Sequence, residues 1–308
     1  MRVVVVGTGP AGVRAAQALV EAGLRPVVVE EGGRDGGQVY RRQPDHFKRD
    51  YAALYGPDAA KAQALHRSFD ALRPHIDHRP DTLAWNVADG VLHTVHAGQP
   101  QATPFDALLL CPGATDRLMP LDGWHRAGCY SLGAAQIALK SQACAIGSRV
   151  VFAGTGPLLY LVASQYIKAG AQVAAVLDTS PARPSLAAIG KLLSRPQLLL
   201  RGLGLIAGLR RAGVEVLAGV ALLRVEGSAE RGVEGLSLRD AAGRERRFAC
   251  DAVGLGYHLR SETQLADLAG CGFAFDDASR QWLPQLDADG RSSVPGVYLA
   301  GDGARLQG

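Results

Sequence analysis

The sequence predicts an α/β protein of two three-layer domains, the second inserted in the first. Three observations carry this. A strand, glycine loop, helix and second strand ending in an acid fill residues 2–30. The same order of segments returns between Arg149 and Asp178. Short apolar strands at 251–256 and 294–303 then bring the chain back. The expected division is 1–117 with 250–308 for the first domain and 118–249 for the second.

The first unit is read residue by residue. Arg2-Val3-Val4-Val5-Val6 is β-branched, too short for a helix and suited to a buried parallel strand. Gly7-Thr8-Gly9-Pro10-Ala11-Gly12 follows at once, then a helix over Val13 to Ala22 closed by Gly23. Pro26 to Val29 is a second buried strand and Glu30 ends it. Gly7 permits the tight turn, Gly9 lets a pyrophosphate approach the backbone, and Gly12 lets the helix lie close on the strand. The helix N-terminus offers free N–H groups and a positive dipole end to phosphates. A carboxylate at Glu30 can accept from ribose hydroxyls. A lone G-x-G-x-x-G is weak evidence, but strand, motif, helix, strand and acid in register make this a Rossmann-like dinucleotide site.

Composition sets the class. The 308 residues are 47% hydrophobic and 20% charged, enough for about two soluble globular domains. A net charge of +4 with scattered arginines leaves no stripe for nucleic acid. The N-terminal apolar run lacks the charged flank and cleavage site of a signal peptide, and no apolar stretch reaches transmembrane length. Cys111, Cys129, Cys144, Cys250 and Cys271 are few, odd in number and not paired in spacing, so a reduced cytoplasmic protein is expected, reaching the inner membrane only peripherally through partners.

The glycine-dense stretch Gly32-Gly33-Arg34-Asp35-Gly36-Gly37-Gln38 is a loop expected to lie over the pyrophosphate. Arg41 to Tyr55 has no clear periodicity. Asp58 to Leu72 reads as a helix through Ala62, Leu65, Phe69 and Leu72. Thr82–Val87, Val91–His96 and Phe105–Leu110 read as strands of a small antiparallel insert and a return to the main sheet. The pairs His75/His78 and His93/His96 lack a third ligand and read as surface histidines, so no metal is expected. Leu108 to Thr115 is a strand running into Cys111-Pro112-Gly113-Ala114, with Cys111 a small buried residue rather than a nucleophile.

In the second unit Val150–Ala153 is a strand, Gly154-Thr155-Gly156-Pro157-Leu158-Leu159 the loop, Tyr160–Ala169 a helix, and Gln172–Leu177 a strand ending in Asp178. Leu159 stands where the first unit has Gly12. Its bulk is expected to obstruct close helix–strand packing and the pyrophosphate, which argues against tight NAD(P) binding and leaves Gly154, Gly156 and Asp178 a weak second nucleotide site. The Leu-rich stretch from Pro184 to Ala212 is read either as a core-packed helix pair or as a subunit contact. Strands are expected at 214–217, 221–226, 233–239 and 246–250. In the last segment Asp302 follows the Val294–Gly301 strand, as a sugar-chain ligand or the N-cap of a helix.

Together these motifs resemble the two-dinucleotide-binding-domain flavoproteins, of which thioredoxin reductase is the familiar example. The resemblance implies that Gly7, Gly9, Gly12 and Glu30 hold the ADP half of FAD, that Gly36-Gly37-Gln38 passes near the pyrophosphate and ribityl chain, and that Gly301-Asp302 is the motif whose acid binds the ribityl chain. Cys111-Pro112-Gly113-Ala114 looks like the crossover motif, with Pro112 in place of the usual threonine. With Pro10, Ala11, Glu31 and Leu83 these residues form the candidate FAD-binding set. The dithiol of a thioredoxin reductase is absent, since that neighbourhood reads Gly128-Cys129-Tyr130-Ser131-Leu132.

Residues 154–163, 259–271 and Arg280-Gln281-Trp282-Leu283-Pro284 are similar to a narrower group: the FAD-type subunit of opine oxidases, the B subunit of hydrogen cyanide synthase, and the α subunits of D-hydroxyproline and L-proline dehydrogenases. That resemblance implies oxidation of an amino acid or secondary amine to an imine, a second flavoprotein subunit carrying the amine-oxidising site, and a non-NAD electron acceptor. It also implies a cysteine-rich segment with an iron–sulfur cluster beyond the Gly-Asp motif. Residues up to Gly308 hold no such segment, so no cluster is expected in this sequence, which is read as a piece or a shortened form. No catalytic base stands out. The alternatives are an NAD(P)H-dependent FAD reductase with Asp178 as ribose acid, and a non-catalytic scaffold holding an adenine nucleotide.

Overall fold

A computed structural model describes residues 1–181 and 196–306. The chain divides into two compact units, Met1–Thr115 with Leu259–Gly308, and Asp116–His258.

The first unit is built on a five-stranded parallel sheet, in the order Val297–Leu299, Ala107–Leu110, Val3–Val6, Val27–Val29, Asp77–Arg79. Val3 to Val6 lie centrally and all four are buried, as a β-branched run covered on both faces must be. Side chains alternate across the sheet. Val4, Val6, Val27, Val29, Leu108 and Leu110 pack with Val87 and Leu92 of an antiparallel meander formed by Thr82–Ala88, Val91–His96 and Gln99–Pro104. Val5 and Val28 face the other way, against Val13 and Ala16 of helix Pro10–Glu21 and Leu65, Phe69 and Leu72 of helix Ala59–Leu72. Each such aliphatic side chain contributes about 1.5–3 kcal/mol on burial.

The second unit repeats the plan. Its parallel sheet runs Glu215–Ala218, Gln172–Asp178, Arg149–Thr155, Ala252–Tyr257, Cys129–Ser131. One face carries the helices Leu132–Ser141, Pro157–Lys168 and Pro196–Arg211, packed through Leu139, Leu159, Val162, Tyr166 and Leu209. The other carries the meander Ala221–Ser228, Gly232–Arg239, Glu245–Ala249, packed through Val225, Leu236, Leu238 and Phe248. In both units the first strand is central and the second and third extend to one side, the order of a dinucleotide-binding sheet.

Several expectations need correction. Both signature helices start three residues early, at Pro10 and Pro157, because proline at the first helical position gives up an N–H that has no partner there anyway. Gln99–Pro104 is a strand the polar sequence hid, since it edges the meander with most side chains exposed. The return strand begins at Ala107 and a short helix occupies Tyr51–Tyr55. Ala252–Tyr257 belongs to the second unit rather than the first, where it pairs in parallel with Arg149–Thr155 and its glycines sit against Phe152 and Leu132. Of the Leu-rich stretch, residues 184–195, with Leu192 and Leu193, lie outside the described residues. The described part is one helix with Leu209 buried and Leu200 and Leu203 exposed.

Candidate functional site

The first unit gathers its motif residues at the C-terminal ends of its parallel strands. Gly7 adopts φ +97°, and a Cβ on it would stand 2.4 Å from the Cys111 carbonyl oxygen. A Cβ on Gly12 would stand 1.8 Å from the Gly7 oxygen. These two glycines therefore fix the strand-to-helix turn by close backbone approach. Helix Pro10–Glu21 begins after Gly9 with no side-chain cap and no acid in its first turn, so its positive end is left for an anion. Val13 N–H closes the first helical bond onto Gly9 O at 3.0 Å, leaving Ala11 and Gly12 ahead of it.

Glu30 follows strand Val27–Val29 and is already engaged. Its Oε2 accepts from both Thr8 N (2.7 Å) and Thr8 Oγ1 (2.6 Å), and its Oε1 accepts from Gly32 N (2.9 Å). A carboxylate offers about four lone-pair sites. Among the described residues, the bonds to Glu30 leave one such site, on Oε1. Thr8 was not singled out in the sequence, although its place inside the glycine motif puts it within reach of any acid ending the next strand. Arg41 lies in the field of Glu30 and Glu31, whose carboxylates oppose the burial that lowers its guanidinium pKa. Glu31 itself is exposed.

The glycine-rich loop lies on the turn. Gly37, at φ +58°, would bring a Cβ to 2.8 Å from Gly9 Cα, and Gly36 N donates to Thr8 O at 2.9 Å. Gln38 is exposed. Behind the loop is a polar support that sequence reading missed. Buried Asp35 takes Arg42 at Nε (2.7 Å) and Nη2 (3.2 Å), and Arg42 also bonds Asp70 and the His66 carbonyl. Buried His66 contacts Tyr40 O through Nε2 (2.6 Å) and Tyr51 Oη through Nδ1 (2.8 Å). Its position beside Leu65, on the buried stripe of a predicted helix, was the available signal.

The remaining candidates fall at neighbouring strand ends, with one exception. Cys111 is buried, and that burial pushes its thiol up to about 12, the property of a packing residue rather than a nucleophile. Pro112 touches the space beside Gly303, where a Cβ would meet its Cδ at 2.7 Å, and Gly113 takes φ +80°. Gly301, at φ +72°, abuts Ala11 and opens a short 3₁₀ turn, Gly301–Gly303. Asp302 lies within that turn, half-buried, instead of capping it; Ala300 holds the cap position. Leu83 is the exception: its side chain is 46% exposed on the meander, though the adjacent Thr82 N bonds Glu30 O.

In the second unit the corresponding places are filled from within. Leu159 is fully buried in the helix-side core, where its side chain occupies the layer between helix and sheet. Asp178 is 6% exposed; its Oδ1 accepts from Ser180 N (2.7 Å) and its Oδ2 from the Tyr160 hydroxyl. Burial and the Asp178 carboxylate both raise the Tyr160 phenol pKa, so it remains a donor. The His258 ring lies over Gly156, with Nδ1 2.8 Å from where a Cβ would stand. Gly154 is pressed against the Gly256 carbonyl.

Among the described residues no helix is long and apolar enough to cross a membrane. The chain is 36% identical over 317 residues to the A subunit of opine oxidase from Agrobacterium tumefaciens (strain Ach5), covering 99% of this chain and 61% of that protein. It is 33% identical over 324 residues to HcnB, a hydrogen cyanide synthase subunit of Pseudomonas protegens, covering 99% and 66%. It thus spans about three fifths of the opine oxidase protein. Its fold is that of T. acidophilum thioredoxin reductase, with a TM-score of 0.68 at 17% identity over 99% of this chain and 90% of that one. L-proline dehydrogenase from P. horikoshii gives 0.65 at 20% identity, over 98% and 50%. Residues 1–307 match the sequence profile of the pyridine nucleotide-disulphide oxidoreductases, and the chain belongs to that family of FAD-dependent oxidoreductases.

Proposed function

We propose that this chain is the FAD-binding subunit of a flavin-dependent dehydrogenase or oxidase acting on an amino acid or secondary amine of the opine, proline, hydroxyproline or glycine class. The observation that carries the reading is the uncapped helix end after Gly9, with Gly37 packed on the turn and Glu30 beside it, in a chain similar along 99% of its length to the A subunit of opine oxidase. The residues fit the group: the turn has no Cβ where a pyrophosphate would pass, and the first helical turn carries no competing acid. Ala11 and Gly12 would bind the phosphates, the free site on Glu30 Oε1 a ribose hydroxyl, and Asp302 the ribityl chain. Pro10, Glu31, Gly36, Gln38, Leu83, Cys111, Pro112, Gly113 and Gly301 would line the remainder.

Bound FAD would supply electron carriage, taking up electrons released by the amine oxidation and handing them to the acceptor. The chain's own part is to bind and orient. Neither Cys111, with its thiol pushed up to about 12, nor any other residue near the turn is offered as a base. Amine oxidation and its base would lie in a partner flavoprotein subunit, and electrons would pass to a non-NAD acceptor. The internal filling of Asp178 and Gly156 argues against an NAD(P)H-dependent reductase.

The test is identification of the ligand by mass spectrometry after denaturing the purified chain. Stoichiometric FAD supports the reading. An adenine nucleotide without flavin overturns it and leaves a nucleotide-locked scaffold.

A further inference from the structure

We propose that the cleft at the carboxyl ends of the second unit's strands binds a small monocarboxylate with an apolar body, and that His258 is the side chain that anchors it. The inference concerns a second site and does not rest on the FAD reading.

The sheet places the cleft. Gln172–Asp178 and Glu215–Ala218 extend to one side of strand Arg149–Thr155, and Ala252–Tyr257 lies on the other. Ligands of open parallel sheets bind outside the strand ends at such a switch point. Thr155 pairs with Tyr257 there, and a cavity of about 510 Å³ opens beside them. Sites for small molecules have volumes of about 300–1,000 Å³. The contacts a dinucleotide would use are already taken. Asp178 is held by Ser180 N and the Tyr160 hydroxyl and does not line the cleft. The Thr155 hydroxyl bonds Ser180 Oγ, and the Thr179 hydroxyl donates to the Gly154 carbonyl at 3.1 Å. Over Gly156 stands the His258 ring, with Nδ1 2.8 Å from the place of a Cβ.

His258 is held in a costly conformation. Its φ of +67° is left-handed backbone, which L side chains rarely adopt. The His258 carbonyl accepts from Arg117 N (3.0 Å), and Tyr257 N donates to Arg117 O (2.9 Å), so backbone pairing fixes the residue. Among the described residues its ring makes no hydrogen bond. Over-determined strain of this kind clusters at ligand sites. The lining then sets the ligand class. Met119, Leu121, Val220 and Leu222 make apolar walls, which suit an apolar body. The charged or titratable groups that line the cleft are Arg117, Tyr257 and His258, and no acid lines it among the described residues. Burial raises the Tyr257 phenol pKa, so that hydroxyl stays a donor. A guanidinium, a phenol and an imidazole with no competing acid select a carboxylate head.

Isothermal titration of phenylacetate into the full chain tests this, with acetate and 2-phenylethanol as controls that lack the body or the carboxylate. Phenylacetate is expected to fill one saturable site, and each control to bind at least about tenfold more weakly. Glycine adopts left-handed backbone without strain, so His258→Gly should keep or raise the urea midpoint while phenylacetate affinity falls at least about tenfold. A ring that merely packs over Gly156 would give the reverse, a lower midpoint with unchanged affinity, and would overturn the anchoring role. His258→Asn tolerates the same backbone, keeps a donor and should retain part of the affinity. Met119→Glu, at a wall side chain 54% exposed, sets a like charge against the ligand and should weaken phenylacetate without lowering the midpoint. Absence of saturable phenylacetate binding overturns the proposal, as does wild-type affinity in both His258→Gly and Met119→Glu. Saturable NADH binding that displaces phenylacetate overturns it too, by making the cleft a dinucleotide site.

Discussion

Gly9 and Gly37 meet backbone to backbone: a Cβ on Gly37 would stand 2.8 Å from the Gly9 Cα, with Gly37 at φ +58°. The two lie 28 positions apart and close the glycine loop onto the turn that precedes the helix. Gly37→Ala should cost about 1–2 kcal/mol for the left-handed backbone. It should also lift the loop from the turn, so ligand retention is expected to fall by more than the stability loss alone would produce. Comparing urea midpoints with ligand retained after gel filtration checks this. Unchanged retention would show that the loop does not cover the ligand.

Glu30 holds three protein donors and has one acceptor site left. Glu30→Gln would place an NH₂ among those donors. Hydrogen bonds to a charged group contribute about 1.5–3 kcal/mol each, so FAD affinity should fall at least about tenfold, with a lower unfolding midpoint. Thr8→Val deletes only the hydroxyl bond to Oε2 and frees that site, so it should weaken binding far less than Glu30→Gln. Isothermal titration of FAD into the apo chain measures both, and equal losses would show that Thr8 itself contacts the ligand.

The sheet frame was legible because its signals are local. Val3–Val6, the glycines at 7, 9 and 12, and the acid at 30 each constrain their own neighbourhood, and parallel pairing follows. The supporting shell was not legible for the opposite reason. Asp35, Arg42, Tyr51, His66 and Asp70 share no sequence motif and meet only when the loop is folded onto helix Ala59–Leu72. The assignment of Ala252–Tyr257 failed similarly: a short apolar run with glycines fits either sheet, and its partner, Arg149–Thr155, is about a hundred residues away.

Cys111 sits under the turn but should be chemically silent. Burial pushes its thiol, and that of Cys250, up to about 12, whereas Cys144 is exposed. The thiolate is the reactive form, so at about pH 8 the native chain should be alkylated at Cys144 and spared at Cys111 and Cys250 until unfolded. Peptide mapping after a timed iodoacetamide pulse reads this directly. Native-state labelling of Cys111 at the rate of Cys144 would revive a nucleophilic role.

The second unit offers the clearest test of why a dinucleotide-type sheet need not bind a dinucleotide. Asp178 is 6% exposed and bound on both oxygens, by Ser180 N and the Tyr160 hydroxyl, while Leu159 lies buried in the core at the position that Gly12 takes in the first unit. An acid so enclosed acts as a structural pin between helix Pro157–Lys168 and the end of strand Gln172–Asp178. Tyr160→Phe removes one donor from a buried carboxylate, a change that costs about 1.5–3 kcal/mol where the group stays charged. The variant should therefore unfold at lower urea with an unchanged slope. If Asp178 is only a pin, neither wild type nor variant should show saturable NADH binding in a fluorescence titration. A variant that keeps wild-type stability and gains NADH binding would mean that Tyr160 gates a working site, and the internal filling would then be a regulated closure rather than a replacement.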